Sequence, residues 1–101
     1  MYRYTTPTIP CSLQDVAFEQ VELVRIAISG KNSLIVREIP ATDFDNTGTA
    51  SVELTQEETA GLGTDNDTVQ IQARIKYKDG TVQATNKVRC ALLDVLDKVV
   101  I

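Results

Sequence analysis

The chain contains no histidine and no tryptophan, and it has only two cysteines and three prolines among 101 residues. Without histidine there is no imidazole acid or base, no Ser-His-Asp triad and no supply of the commonest metal ligand. Without tryptophan, the buried ring that packs on the inter-sheet disulfide of antibody domains is missing. Long apolar runs are absent too. Leu34-Ile35-Val36 is typical of the longest, far short of a bilayer-crossing helix. The opening Met1-Tyr2-Arg3-Tyr4-Thr5-Thr6-Pro7 lacks the apolar centre of a secretory signal, so export by that route is not expected. Fourteen acidic and ten basic residues leave a net charge of −4, with the basic ones scattered. Phosphate-neutralising proteins carry a basic patch or stripe, so neither nucleic acid nor a membrane is expected as a partner.

What the chain does have is alternation. From Val69 to Leu92 it reads as a long hairpin in period two: Val69, Ile71, Ala73, Ile75 and Tyr77 point one way, Gln70, Gln72, Arg74 and Lys76 the other. Lys78-Asp79-Gly80 turns the chain, and Val82, Ala84, Val88, Cys90 and Leu92 are expected to resume the apolar face. The outward face would then carry Gln83, Thr85, Lys87 and Arg89 beside the glutamines and bases of the first arm. Cys11 falls between Ile9 and Leu13, and Cys90 between Val88 and Leu92. Both fit the inward phase of a strand and read as small buried hydrophobes in the thiol form.

Upstream, Ile9, Cys11 and Leu13 alternate with Thr8, Pro10 and Ser12, which predicts a first strand. Proline has no amide hydrogen for a ladder, so this strand belongs at an edge with Pro10 facing out. Val24, Ile26 and Ile28 mark a second strand, Gly30-Lys31-Asn32 a hairpin turn, and Leu34, Val36 and Glu38 a third strand in alternation with Ser33, Ile35 and Arg37. Pro40 closes it. After the polar loop 41–49, Ala50, Val52 and Leu54 predict a fourth strand. Thr55-Gln56-Glu57-Glu58 then has the form of a capping box, and Gly61 and Gly63 limit the helix it starts to about two turns. The final stretch, residues 93–101, fits one helical face by spacing but is strand-like at Val99-Val100-Ile101. So apolar a tail is expected either to pack on its own domain or to meet a neighbouring subunit. Together these elements predict one mainly β domain of six or seven short strands, folded as two packed antiparallel sheets with one short helix crossing between the two halves.

Candidates for chemistry are few. Asp43 with Asp45, and Asp65 with Asp67, are carboxylate pairs, but each lies among Asn, Thr or Gly, where Asp forms turns. Asp43-Phe44-Asp45-Asn46-Thr47-Gly48 opens like a calcium loop, yet Leu54 stands where the closing Glu is required. A weak calcium site at this loop is left open by the sequence. Gly61-Leu62-Gly63 lacks the Lys-Ser or Lys-Thr of a phosphate loop and reads as a helix stop. The cysteines have neither CxxC spacing nor histidine partners for zinc. Neither a cofactor nor a catalytic site is expected, and the chain is not expected to be an enzyme. Five aromatics, Tyr2, Tyr4, Phe18, Phe44 and Tyr77, leave a carbohydrate- or cell-surface-binding sandwich as the alternative reading.

Three segments taken together carry a resemblance: Tyr4-Thr5-Thr6-Pro7-Thr8-Ile9-Pro10, Val52-Glu53-Leu54-Thr55-Gln56-Glu57-Glu58-Thr59, and Val69-Gln70-Ile71-Gln72-Ala73-Arg74 with Asp79-Gly80. In this order the chain resembles small phage and prophage structural proteins of Gram-positive bacteria, and in particular the amino-terminal domain of baseplate upper proteins. The resemblance implies an immunoglobulin-like β-sandwich encoded among tail genes, with no catalytic residues to carry over. It departs from that group at Cys11 and Cys90, where plain aliphatic residues are usual. The implied role is a structural or assembly module in contact with other virion or tail subunits, and possible homo-oligomers. It would be found in the host cytoplasm during assembly and then in the virion. Thr5, Thr6, Pro7, Val99, Val100 and Ile101 are the expected contact residues, because terminal segments can add to a neighbour's sheet edge.

Overall fold

Alternating apolar residues build two antiparallel sheets, described here for all of residues 1–101 from a computed structural model. The strands are β1 (Thr8–Ser12), β2 (Val21–Ser29), β3 (Leu34–Pro40), β4 (Thr49–Glu53), β5 (Thr68–Tyr77), β6 (Val82–Ala84) and β7 (Val88–Ala91). A single α-helix, α1 (Gln56–Gly61), lies between β4 and β5, with short 3-10 turns at Phe18–Gln20 and Ala41–Asp43. β1 and β4 form the smaller sheet. In the larger one, β3, β2 and β5 lie side by side, and β6 and β7 share the far edge of β5. The helix is therefore the crossover between sheets, as expected.

The core comes from the inward phase of every long strand. Val24, Ile26 and Ile28 of β2, Val69, Ala73 and Ile75 of β5, and Ile35 and Ile39 of β3 meet Cys11 of β1 and Ala50 and Val52 of β4. Leu54, Leu62 and Leu92 close it at fractional exposures of 1% or less. A bulge between Val21 and Leu23 lets Val21 share the buried side with Val24. On β3 the buried phase is Ile35 and Ile39, and Leu34 faces solvent. No helix is long and apolar enough to cross a membrane.

β1 is an edge strand, as Pro10 requires. Leu54 donates its amide to the Pro7 carbonyl at 3.1 Å and Leu13 donates to Gly48 at 2.9 Å, which fixes the hydrogen-bonding phase of the β1–β4 pair. Ile9 and Cys11 bond to β4, and Pro10 turns its missing N–H to the open side. The capping box forms in full: the Glu58 amide donates to Thr55 Oγ1 at 3.1 Å, and the Thr55 amide donates to Glu58 Oε1 at 3.0 Å.

The second arm of the hairpin departs from the expected alternation. β6 pairs Val82 with Lys76 and Ala84 with Arg74, which puts both apolar residues on the polar face. Gln83, across from Ile75, takes the inner phase instead. β7 pairs Val88 with Ile71 and Cys90 with Val69. Between them the register slips by one, so Asn86 and Lys87 together oppose Gln72. Thr85 makes this bulge. Its amide donates to the Ala73 carbonyl at 2.9 Å, its Oγ1 accepts from the Ala73 amide at 3.0 Å, and its own carbonyl accepts from Gln72 Nε2 at 2.9 Å. A side-chain hydroxyl thus replaces the ladder carbonyl. Cys90 and Leu92 keep the inward phase, whereas Val88 stays 61% exposed although it shares a side with Ile71.

Residues 93–101 form neither of the two expected elements. Tyr2 and Leu93 make one parallel bridge, and the chain beyond it is irregular, because alternating Asp94, Asp97 and Lys98 leave no continuous face for either period.

Candidate functional site

The amino-terminal segment is clasped to the chain after β7. The Met1 ammonium donates to the Ala91 carbonyl at 2.8 Å, the Leu93 amide donates to Met1 and the Arg3 amide to Leu93, each also at 2.8 Å. Arg3 extends the clasp in two directions: Nη1 donates to Asp94 Oδ1 at 2.6 Å, and Nη2 to the Ala60 carbonyl at 2.9 Å. Ala60 lies in the last turn of α1, where carbonyls lack helical partners and a cation is favoured. The same guanidinium stands 5.3 Å from the centre of the Tyr4 ring. Arg3 therefore draws the chain start, the helix end and the segment just after β7 into one cluster.

Thr59, fully buried on α1, holds the next residues. Its Oγ1 accepts from the Thr5 amide at 3.2 Å, and its single proton lies between the carbonyls of Thr5 and Gln56. Tyr4, at φ 58°, turns the chain here, and Thr5 Oγ1 closes the turn by donating to the Tyr2 carbonyl at 2.7 Å. Pro7 is half-buried with its carbonyl bound to Leu54, while Thr6 is exposed.

The other nominated segment arrives at the same place. Gln56, the first residue of α1, grips the main chain of Ile101: Nε2 donates to its carbonyl at 2.6 Å, and Oε1 accepts from its amide at 2.9 Å. Tyr4, Thr5, Thr6, Gln56 and Ile101 line a shallow cleft. Two segments from opposite ends of the chain, both expected as contacts, thus flank one helix. Apart from the grip on the Ile101 main chain the tail is bare, with Leu96, Val99, Val100 and Ile101 exposed by 106, 58, 44 and 96%. Lys98 pairs with Asp94 at 3.1 Å.

The remaining candidates do local work. Asp45 Oδ1 accepts from the Thr47 amide, the Thr47 hydroxyl and the Thr49 amide, so it is a turn-forming carboxylate. Asp67 Oδ2 accepts from the amide and hydroxyl of Thr64, and Asp65 Oδ1 from the Asp94 amide. Asp43 ends a 3-10 turn, exposed. No group of three or more metal-ligating side chains comes together, at the 43–48 loop or elsewhere. Hydrogen bonds hold several carboxylates below their ordinary range: Asp45 through the Thr47 hydroxyl, Glu58 through the Thr55 amide and then Arg37, Asp67 through the Thr64 amide, Asp79 through the Thr81 hydroxyl, and Asp94 through Arg3. Groups shifted in that direction are acceptors at neutral pH, not proton donors.

Phe18 and Phe44 stack on each other with ring centres 4.9 Å apart, so each spends a face within the molecule. Cys11 is buried and Cys90 half-buried, both as thiols on different sheets, and burial pushes the Cys11 thiol up. Cys11 lines an apolar cleft of about 260 Å³ between β1 and the Thr85 bulge, floored by Ile26, Ile71 and Ala73. Strict alternation gave no sign of this cleft, because it exists only where the hairpin's second arm is interrupted. Arg3, Gln56 and Thr59 were equally invisible as site residues, each being an ordinary polar residue until the termini are brought onto α1.

No family model, curated protein or solved structure matches the chain.

Proposed function

We propose that the chain is a non-catalytic structural or assembly module of a phage or prophage tail or baseplate, working through protein–protein contacts. The observation that supports this most is the convergence of both termini on α1. Thr5 is pinned there by Thr59 and Pro7 is held just before the helix by Leu54, with Thr6 exposed between them, and the tail that Gln56 fastens at Ile101 presents the apolar side chains of Val99, Val100 and Ile101 to solvent. Exposed aliphatic side chains gathered on a fixed frame suit a site that another subunit covers. The tail's β-branched residues also suit addition to a neighbour's sheet. The phage setting rests on the sequence resemblance. The partners are then other virion or tail subunits, met in the host cytoplasm and retained in the particle.

The test is incorporation. Particles purified after induction of the source genome are expected to contain peptides of this chain in a fixed ratio to tail proteins. Particles of normal composition lacking the chain would defeat the proposal.

A further inference from the structure

We infer that β3 is a self-association edge, through which two copies join across a two-fold axis into one continuous sheet. The inference is independent of the phage reading and uses a different surface from the termini.

Most other sheet edges are short or blunted. β1 is interrupted by Pro10, β7 has four residues with its Ala91 carbonyl already taken by the Met1 ammonium, and β6 has three residues and stops at the bulge. On β4 the Thr49 main chain is already engaged by Asp45, and Glu53 places a charge on the edge. β3 is the longest edge strand, seven residues with no proline before Pro40, and nothing pairs with its outer side.

The hydrogen-bonding phase shows which groups are open. Gly30 donates to the Ser33 carbonyl, so residues 28, 26 and 24 of β2 bond to Ile35, Arg37 and Ile39. Counting from the other side agrees. Ala73 and Tyr77 bond toward β6, which turns residues 72 and 74 of β5 toward β2 and leaves residues 24, 26 and 28 for β3. Leu34, Val36 and Glu38 therefore aim both main-chain groups outward. The Val36 carbonyl has a long 3.3 Å contact from Arg37 Nη1, which leaves its second lone pair free.

Only one antiparallel register uses this edge well. Centring on Val36 pairs Val36 with Val36 of the second copy and Leu34 with Glu38 in both directions, giving three fully hydrogen-bonded pairs. Centring on Ile35 would call on Asn32, whose amide is already given to Leu62. Centring on Arg37 would set two guanidinium groups face to face and bring in Pro40, which has no N–H. In the Val36 register no like charges meet. Glu38 is neutralised by Arg25 at 2.9 Å, and Arg37 by Glu58. The exposed Leu34 and half-buried Val36 then extend an apolar row across the axis. Such an edge is self-complementary, as a two-fold contact must be.

The experiment uses the full chain. Sedimentation velocity from micromolar to millimolar concentration is expected to show the mass rising from one copy to two. Over the same range, amide exchange at Leu34, Val36 and Glu38 should slow, by about tenfold when about 90% of the protein is dimeric and exchange passes through the monomer. Ile35, Arg37 and Ile39 should change little. Val36→Pro removes one outward N–H, as Pro10 does on β1, and Val36→Lys sets two ammonium groups across the axis. Each variant, with circular dichroism unchanged, is expected to stay monomeric. A wild-type monomer at millimolar concentration overturns the inference, leaving the edge to a strand from another protein. A dimer whose three edge amides exchange as fast as in the monomer, or one that persists in both folded variants, overturns it equally.

Discussion

At the scale of single residues, most of what is distinctive is done by threonines and by Glu58. Thr59 has no exposed surface, and its hydroxyl both accepts from and donates to the Thr5 main chain. Thr59→Val keeps the shape and removes the oxygen, so the Thr5 amide loses its partner. Stability is expected to fall by about 1–3 kcal/mol in urea unfolding, with faster amide exchange at Thr5. Glu58 caps its own helix through the Thr55 amide and also holds Arg37. Both contacts lower its pKa from the ordinary 4.5, the Thr55 bond most. A carboxyl with a depressed folded pKa stabilises fully above its unfolded value, and loses that contribution as pH falls through the folded one. Glu58→Gln should therefore unfold at lower urea than wild type at neutral pH. The gap should narrow as the pH falls below the ordinary 4.5 and through the lowered folded value, and a constant gap would show that its charge is immaterial.

At the scale of elements, the strands and the helix were legible because their causes are local. Val24, Ile26 and Ile28 alternate with residues that a half-buried strand can leave outside, and Thr55 with Glu58 states a helix start in four residues. The hairpin's second arm was legible only in part. Val82 and Ala84 carry the right residue types but the wrong phase, since the slip is set by how the Thr85 hydroxyl meets Ala73, and no periodicity encodes that. The tail was ambiguous because it is fastened by one glutamine rather than by a face. The termini were nominated as contacts, but not their meeting on α1, because Arg3 and Gln56 act over separations of 91 and 45 residues. The bulge gives the element-scale prediction. Thr85→Val leaves the buried Ala73 amide without its acceptor, at a cost of about 1–3 kcal/mol. Amide exchange at Ala73 should accelerate first. Unchanged exchange there would mean that the Thr85 carbonyl can swing back into the ladder.

At the scale of the whole molecule, 46 × 22 × 17 Å, stability and contact are carried by different parts of the chain. The core is closed by Leu54, Leu62 and Leu92, all before the tail begins, and the clasp by Met1 and Arg3 engages residues no later than Asp94. The last three residues add two hydrogen bonds to Gln56 and bury little. Deleting Val99 to Ile101 should therefore shift urea unfolding by no more than about 0.5 kcal/mol, as for other exposed changes. It should also leave dimerisation through β3 intact in sedimentation velocity, because the tail takes no part in that register. If the apolar tail is what another subunit covers, the same deletion should reduce incorporation into particles. The two surfaces then separate: Val36→Lys abolishes the dimer with the tail unchanged, and the tail deletion abolishes incorporation with the dimer unchanged. A deletion that instead unfolds the protein would show that Gln56 and Ile101 close the domain, and the exposed tail would have to be regarded as a strap on α1 rather than a contact for a neighbour.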